Sequence, residues 1–402
     1  MRIHYILLVC VFLLTSCDKT KISWDSGEKE NLEECKVNLY VENSGSMEGY
    51  MHDGFEFKDA VFGYVTAINK YVDDTRFFYI NSKIVPNRIS LENLTGSFDA
   101  AAFKAGGGDR SSTNLAAMLK MILKEQQKNT VSVFVSDCIL DLPKGAAKNY
   151  FINNQIAIEA IVSKKLKKQK DLTFVVFRLM SRFYGKYYNS TGSSTVNAMR
   201  PYYVFLIGNG SLVSQLMRKV PLADIPNAKV TCMVAYINNH VPAMTITNST
   251  GRLFKKNKCN LLPEKGSDNY RIKILADLSS AFIQEDSLAN KNLYKSSDRQ
   301  FKLEYVEKIK DPGSPYTHIL TVSTPQSVQP TKERISIGKQ ETPIWIDQAN
   351  DDTGVFIGRK TTGIKYVLNG IGSAYTDEDI VEMKFSIKNP QLPSPIHSFM
   401  LL

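Results

Sequence analysis

Between Cys35 and about Val220 the chain alternates short, nearly continuous apolar runs with stretches whose apolar residues recur every three or four positions. Lys36 to Val41, Arg76 to Val85, Val131 to Ser136, Leu172 to Leu179 and Tyr202 to Ile207 read as strands. Phe57, Val61, Tyr64, Val65 and Ile68, then Leu115, Met118, Leu119, Ile122 and Leu123, read as helical stripes, and Ile152 to Val162 suggests a third. Apolar strands separated by amphipathic helices imply a sheet covered on both faces. The expected fold class is therefore α/β, with a Rossmann-like, doubly wound, mostly parallel sheet. Functional groups in such sheets gather beyond the carboxyl ends of the strands. The segment Ser181 to Met199, rich in Tyr, Ser, Asn and Gly, reads as a long insertion before the last strand.

Beyond about Pro221 the texture changes to short strands divided by Gly, Pro, Asn and Asp clusters, with little helical periodicity. This half is expected to be a β-rich, sandwich-like C-terminal domain. The domain expectations are a first unit over 35–222 and a second over 223–402. At 402 residues the chain is long enough for both.

The first residues have the layout of an export signal. Arg2 and His4 precede the apolar run Tyr5 to Leu14, which is too short to span a bilayer, and Leu14-Thr15-Ser16-Cys17 follows. That ending resembles a bacterial lipobox. The resemblance implies a lipoprotein signal peptide over 1–17, lipidation of Cys17 and anchoring to a membrane of the cell envelope by acyl chains. Asp18 to Glu34 is polar and charged, with no apolar period except an isolated Ile22 and Trp24, and reads as a flexible tether over 18–34. Cys35, Cys138, Cys232 and Cys259 have no zinc-site spacing. The formal charge of +10 raises the question of nucleic acid. The densest basic run, Lys164 to Lys170, closes a helix and has no interleaved aromatics, so no nucleic-acid partner is expected.

The chemistry concentrates where the first strand ends, at Glu42-Asn43-Ser44-Gly45-Ser46. An acidic oxygen and two hydroxyls are hard ligands suited to Mg²⁺ or Mn²⁺. Thr113 directly precedes the stripe that begins at Leu115, and Ser136-Asp137-Cys138 closes another strand. The order acid-Ser-Ser, then Thr, then Asp resembles the metal-ion-dependent adhesion site (MIDAS) of the von Willebrand factor A (vWA) domain. Here Glu42 replaces the family's first Asp, and Cys138 replaces the glycine after the second. The resemblance implies a divalent ion held by Glu42, Ser44, Ser46, Thr113 and Asp137. It also implies a protein partner bound through an acidic side chain, without catalysis. Glu42 leaves three arrangements open: direct coordination in place of a bridging water, closure of the open position, or a hydrogen-bonded loop without an ion.

Two other functions fit the same residues: a metal-independent envelope scaffold, or a metal-assisted hydrolase using the acidic loop. The hydrolase needs a positioned base or an arginine at the loops. Asp109 and His52 lie nearby in sequence but read as solvated side chains. Histidines 52, 240, 318 and 397 are scattered, and neither Ser44 nor Ser46 lies in G-x-S-x-G.

Overall fold

The computed structural model describes residues 20–52, 54–86, 98, 100–111, 113–140, 147–189, 192–248, 257–355 and 358–389. The signal segment and Cys17 lie outside the described residues.

The main sheet has seven strands. From edge to edge they are Ile84–Pro86, Asp74–Ile80, Lys36–Glu42, Thr130–Ser136, Gly192–Asn209, Leu172–Asn189 and Lys229–Tyr236. Only Lys36–Glu42, with Asp74–Ile80 on one side and Thr130–Ser136 on the other, forms parallel ladders. The other four pairings are antiparallel. The doubly wound, mostly parallel fold is thus overturned: the chain is β-rich, has several antiparallel sheets, and its main sheet is mixed. The reason lies in Leu172–Asn189 and Gly192–Asn209, which pair from Leu172 against Asn209 out to Asn189 against Gly192. A hairpin with so short a connection must be antiparallel, because a parallel return needs a crossover of a dozen residues or more. The expected insertion at Ser181 to Met199 is the outer half of this hairpin.

One face of the main sheet carries the helix Glu56–Ile68, whose Phe57, Val61, Tyr64, Val65 and Ile68 are buried. It also carries Gly210–Lys219, through Leu212, Val213 and Leu216. The other face is covered by Leu115–Glu125, by Ala147–Leu166 and by a helix from far along the chain, Ile364–Ser373. Gly370 permits the close approach of that late helix: a Cβ there would lie 2.6 Å from the Gln155 carbonyl oxygen. The expected boundary at 222/223 therefore does not divide the cores, since Lys229–Tyr236 and Ile364–Ser373 both serve the main sheet.

Two antiparallel sheets enclose a second core. One runs Lys258–Asn260, Lys21–Trp24, Asp379–Lys388, Thr331–Gly338, Tyr294–Ser296; the other runs Lys302–Lys308, His318–Pro325, Asn269–Ala276, Met244–Asn248. The flexible tether expected over 18–34 is corrected here. Lys21–Trp24 is an inner strand, paired antiparallel with both neighbours, and Ile22 and Trp24 are buried. Spaced two apart, they point to one face of a strand. Leu32, in a 3₁₀ turn capped by Asn31, is buried as well. Among the described residues no helix is long and apolar enough to cross a membrane.

Candidate functional site

Glu42 ends the strand that lies between two parallel neighbours, so its carboxyl enters the interior and is fully buried. The chain then turns through Asn43 and Ser44 into the 3₁₀ turn Gly45–Tyr50. Ser44 is buried and Ser46 half-buried, with their Oγ atoms 3.0 Å apart. Thr113 precedes the Asn114 cap of Leu115–Glu125, and its hydroxyl donates to Glu42 Oε1 at 2.9 Å. Ser136, the last residue of the neighbouring strand, donates to Glu42 Oε2 and accepts the Cys138 N–H at 2.8 Å. Asp137 is fully buried and its Oδ1 accepts the Ile139 N–H at 3.2 Å.

The structure thus gathers Glu42, Ser44, Thr113 and Asp137, with Ser46 joined through Ser44. Asp109 stays outside: it is exposed and accepts the amide and hydroxyl of Ser111. His52 is also exposed, its Nε2 lying 2.8 Å from the Tyr184 carbonyl oxygen.

Burial first, and the Asp137 charge second, push the Glu42 carboxyl up to about 8, against the pull of the Ser136, Ser44 and Thr113 hydroxyls. The pair has a cationic neighbour that sequence reading missed. Arg200 is fully buried, with its guanidinium over the ring of Tyr187 at 4.3 Å and that of Phe183 at 5.5 Å. Burial works against its charge, but Tyr50, Tyr187 and Asp137 outweigh that and hold it above the ordinary arginine range. Ser136 was read only as the residue before Asp137. A lone arginine just past the supposed insertion carries no motif; what the period-two alternation of Ser181 to Tyr187 could have revealed is the strand that covers it. Ser181, Phe183 and Tyr187 are buried, whereas Arg182, Tyr184 and Lys186 are exposed.

The hairpin covers the loop after Glu42. Tyr50 donates its hydroxyl to the Pro201 carbonyl at 2.7 Å, and a Cβ on Gly185 would lie 2.9 Å from Gly49 Cα. Glu56, which opens its helix, accepts the Arg182 N–H at 2.9 Å and the Lys229 ammonium at 2.7 Å. On the opposite side the Leu140 N–H donates to the Thr362 carbonyl at 3.2 Å, and Tyr203 donates to the Thr361 hydroxyl at 3.1 Å. Residues from the far end of the chain therefore wall the site. Arg110 braces the loop by donating to the Asn43 carbonyl at 2.7 Å and to Glu48 Oε1 at 2.5 Å.

The donor chemistry of the five residues fits a small hard dication: two carboxylates and three hydroxyls. The Thr113 hydroxyl gives its proton to Glu42 and so keeps its lone pairs. Among the described residues no group of three or more His, Cys, Asp or Glu side chains gathers as a metal site. What burial opposes is contact from outside, because both carboxylates are at 0% exposure. Cys35, Cys138 and Cys259 are buried thiols and Cys232 is half-buried.

Compared with known proteins, the chain matches no family model, no curated protein and no solved structure.

Proposed function

We propose that the chain is a lipid-anchored protein of the bacterial cell envelope that binds a protein partner, and that the Glu42 cluster works inside the protein. The cluster fastens the Gly45–Tyr50 turn, the start of the Leu115–Glu125 helix and the 137–140 loop to one another. The likeness of the acid-Ser-Ser, Thr and Asp positions to the vWA adhesion site supports a binding role, and the Leu-Thr-Ser-Cys17 ending supports the anchor. Glu42, Ser44, Ser46, Thr113 and Asp137 would hold Mg²⁺ or Mn²⁺, whose charge would offset the two buried carboxylates. The observation that carries the internal role is the complete burial of both carboxylates, behind a loop that Tyr50 ties to the hairpin at Pro201.

A pull-down from the envelope with the tagged soluble chain, with and without chelator, tests this reading. Capture of the same protein in both arms is expected, with Ser44→Ala also retaining it. Release by chelator would put the ion at the interface and overturn the internal role. Failure to enrich any protein over a bare-resin control would overturn the binding role. Calorimetry separates the ion from the partner: Mg²⁺ or Mn²⁺ should give heat that Asp137→Ala abolishes.

A further inference from the structure

A second polar site lies where the two cores meet, well away in the chain from Glu42. A cavity of about 270 Å³ is lined by His240, Ser280, Asp277, Lys29, Lys128 and Asn209, among others. His240 Nε2 and Ser280 Oγ face each other at 2.7 Å, and His240 Nδ1 lies 3.4 Å from the Asn238 carbonyl oxygen. A carbonyl can only accept, so Nδ1 carries the proton and Nε2 is left to accept from the Ser280 hydroxyl. Nothing in the Glu42 cluster uses this pair.

Both residues are held on ordered backbone. The His240 N–H donates to the Ile380 carbonyl at 3.2 Å, and its carbonyl accepts the Glu382 N–H at 2.9 Å, which ties it to the Asp379–Lys388 strand. Ser280 sits in the 3₁₀ turn Ser279–Ala281, just beyond the Asn269–Ala276 strand. The turn is followed by Phe282 with φ of 53°, a left-handed conformation that a bulky residue adopts only under constraint. Asp277, close to the ring, is buried and paired with Lys29 at 3.3 Å.

We infer that Ser280 and His240 form a nucleophile–base pair that hydrolyses small acyl esters of polar alcohols entering this cavity. The pair has the geometry of an activated serine, with a backbone carbonyl in the orienting place that a carboxylate fills elsewhere. Burial also pushes the His240 ring below its ordinary value, outweighing the Asn238 and Ile380 backbone contacts and the Asp277 charge, so the imidazole is neutral and able to accept a proton near pH 7. Ser280 Oγ attacks the ester carbonyl as its proton passes to His240 Nε2. The carbon–oxygen bond to the alcohol breaks, and Nε2 returns the proton to the leaving oxygen. Water then attacks the acyl-serine while giving a proton to Nε2, which passes it back to Oγ as the carboxylic acid departs. The cavity volume admits only a short acyl group, and its carboxylate, hydroxyl and amide lining suits a polar alcohol.

A fluorophosphonate probe on the whole soluble chain, followed by peptide mass mapping, tests the pair. A single adduct on Ser280 is expected, absent in Ser280→Ala and formed about 100-fold more slowly in His240→Gln. A chromogenic acetate ester should be turned over by the unaltered chain and not by Ser280→Ala. No adduct on the unaltered chain, an adduct elsewhere only, or an unchanged rate in His240→Gln would each overturn the assignment. Mapping the adduct on the unaltered chain does not depend on either variant folding.

Discussion

Glu42 and Asp137 illustrate how two acids that look alike in a motif are separated by their surroundings. Both are fully buried, but Arg200 lies toward Asp137, while Glu42 faces the hydroxyls of Thr113 and Ser136. The folded protein holds the Glu42 proton up to about 8, whereas the ordinary glutamate value is 4.5. The folded state therefore binds a proton that the unfolded state has released. Stability from this group is complete below about 4.5 and is lost as pH rises through about 8, at up to about 1.4 kcal/mol per pH unit. In the chelator-treated protein, Glu42→Gln should remove that slope in chemical denaturation measured between pH 5 and 8, with little loss near pH 6 (roughly 1 kcal/mol or less). Asp137→Ala should instead lower stability at pH 7, because the buried Arg200 charge loses the attraction of a buried acid. The acids and hydroxyls of this site were legible in the sequence because each ends a strand or opens a helix. Arg200 was not, since nothing local marks a buried cation whose partners come from loops elsewhere in the chain.

The long hairpin is the element that decides how the site is covered, and Glu56 is its clasp. Burial pushes this carboxyl up, but the Arg182 amide and side chain and the Lys229 ammonium overcome that and hold it at about 2. Its contribution is present above the ordinary value of 4.5 and is lost as pH falls toward 2, the opposite sign to Glu42. Glu56→Gln should cost about 1–3 kcal/mol at pH 7 and flatten the acid limb of the stability profile. Limited proteolysis of the same variant should cut sooner between Ser181 and Arg200. The strands of this hairpin were legible, but their direction was not. A continuous apolar run such as Leu172 to Leu179 reports that both faces of a strand are covered; it carries no information about whether the next strand runs parallel. The polar outer half hid its alternation behind Tyr, Ser and Gly, which suit loops and strand surfaces alike.

At the scale of the molecule, the two cores share segments that the sequence order keeps apart. Ile364–Ser373 closes the main sheet although Thr331–Gly338 before it and Asp379–Lys388 after it build the second core. Gly363, at φ 76°, starts that helix where a Cβ would lie 2.7 Å from both Leu140 and Phe151. Gly363→Ala combines a strained backbone with a packed-site clash and should cost about 2–4 kcal/mol, read as a lowered denaturation midpoint. The change of texture near Pro221 was real, but it marks a change in local structure and not the limit of a core. Long-range packing of this kind leaves no periodic signature in the chain.

The Lys21–Trp24 strand has a consequence for where the protein can stand. Three residues separate Cys17 from Lys21, and the four steps between those two Cα atoms span no more than about 14 Å even when fully extended. A lipid on Cys17 would therefore not moor the protein on a slack leash. It would hold the rim of the second core against the headgroups, leaving the body little freedom to swing and offering the same flank to the periplasm or the medium at every encounter.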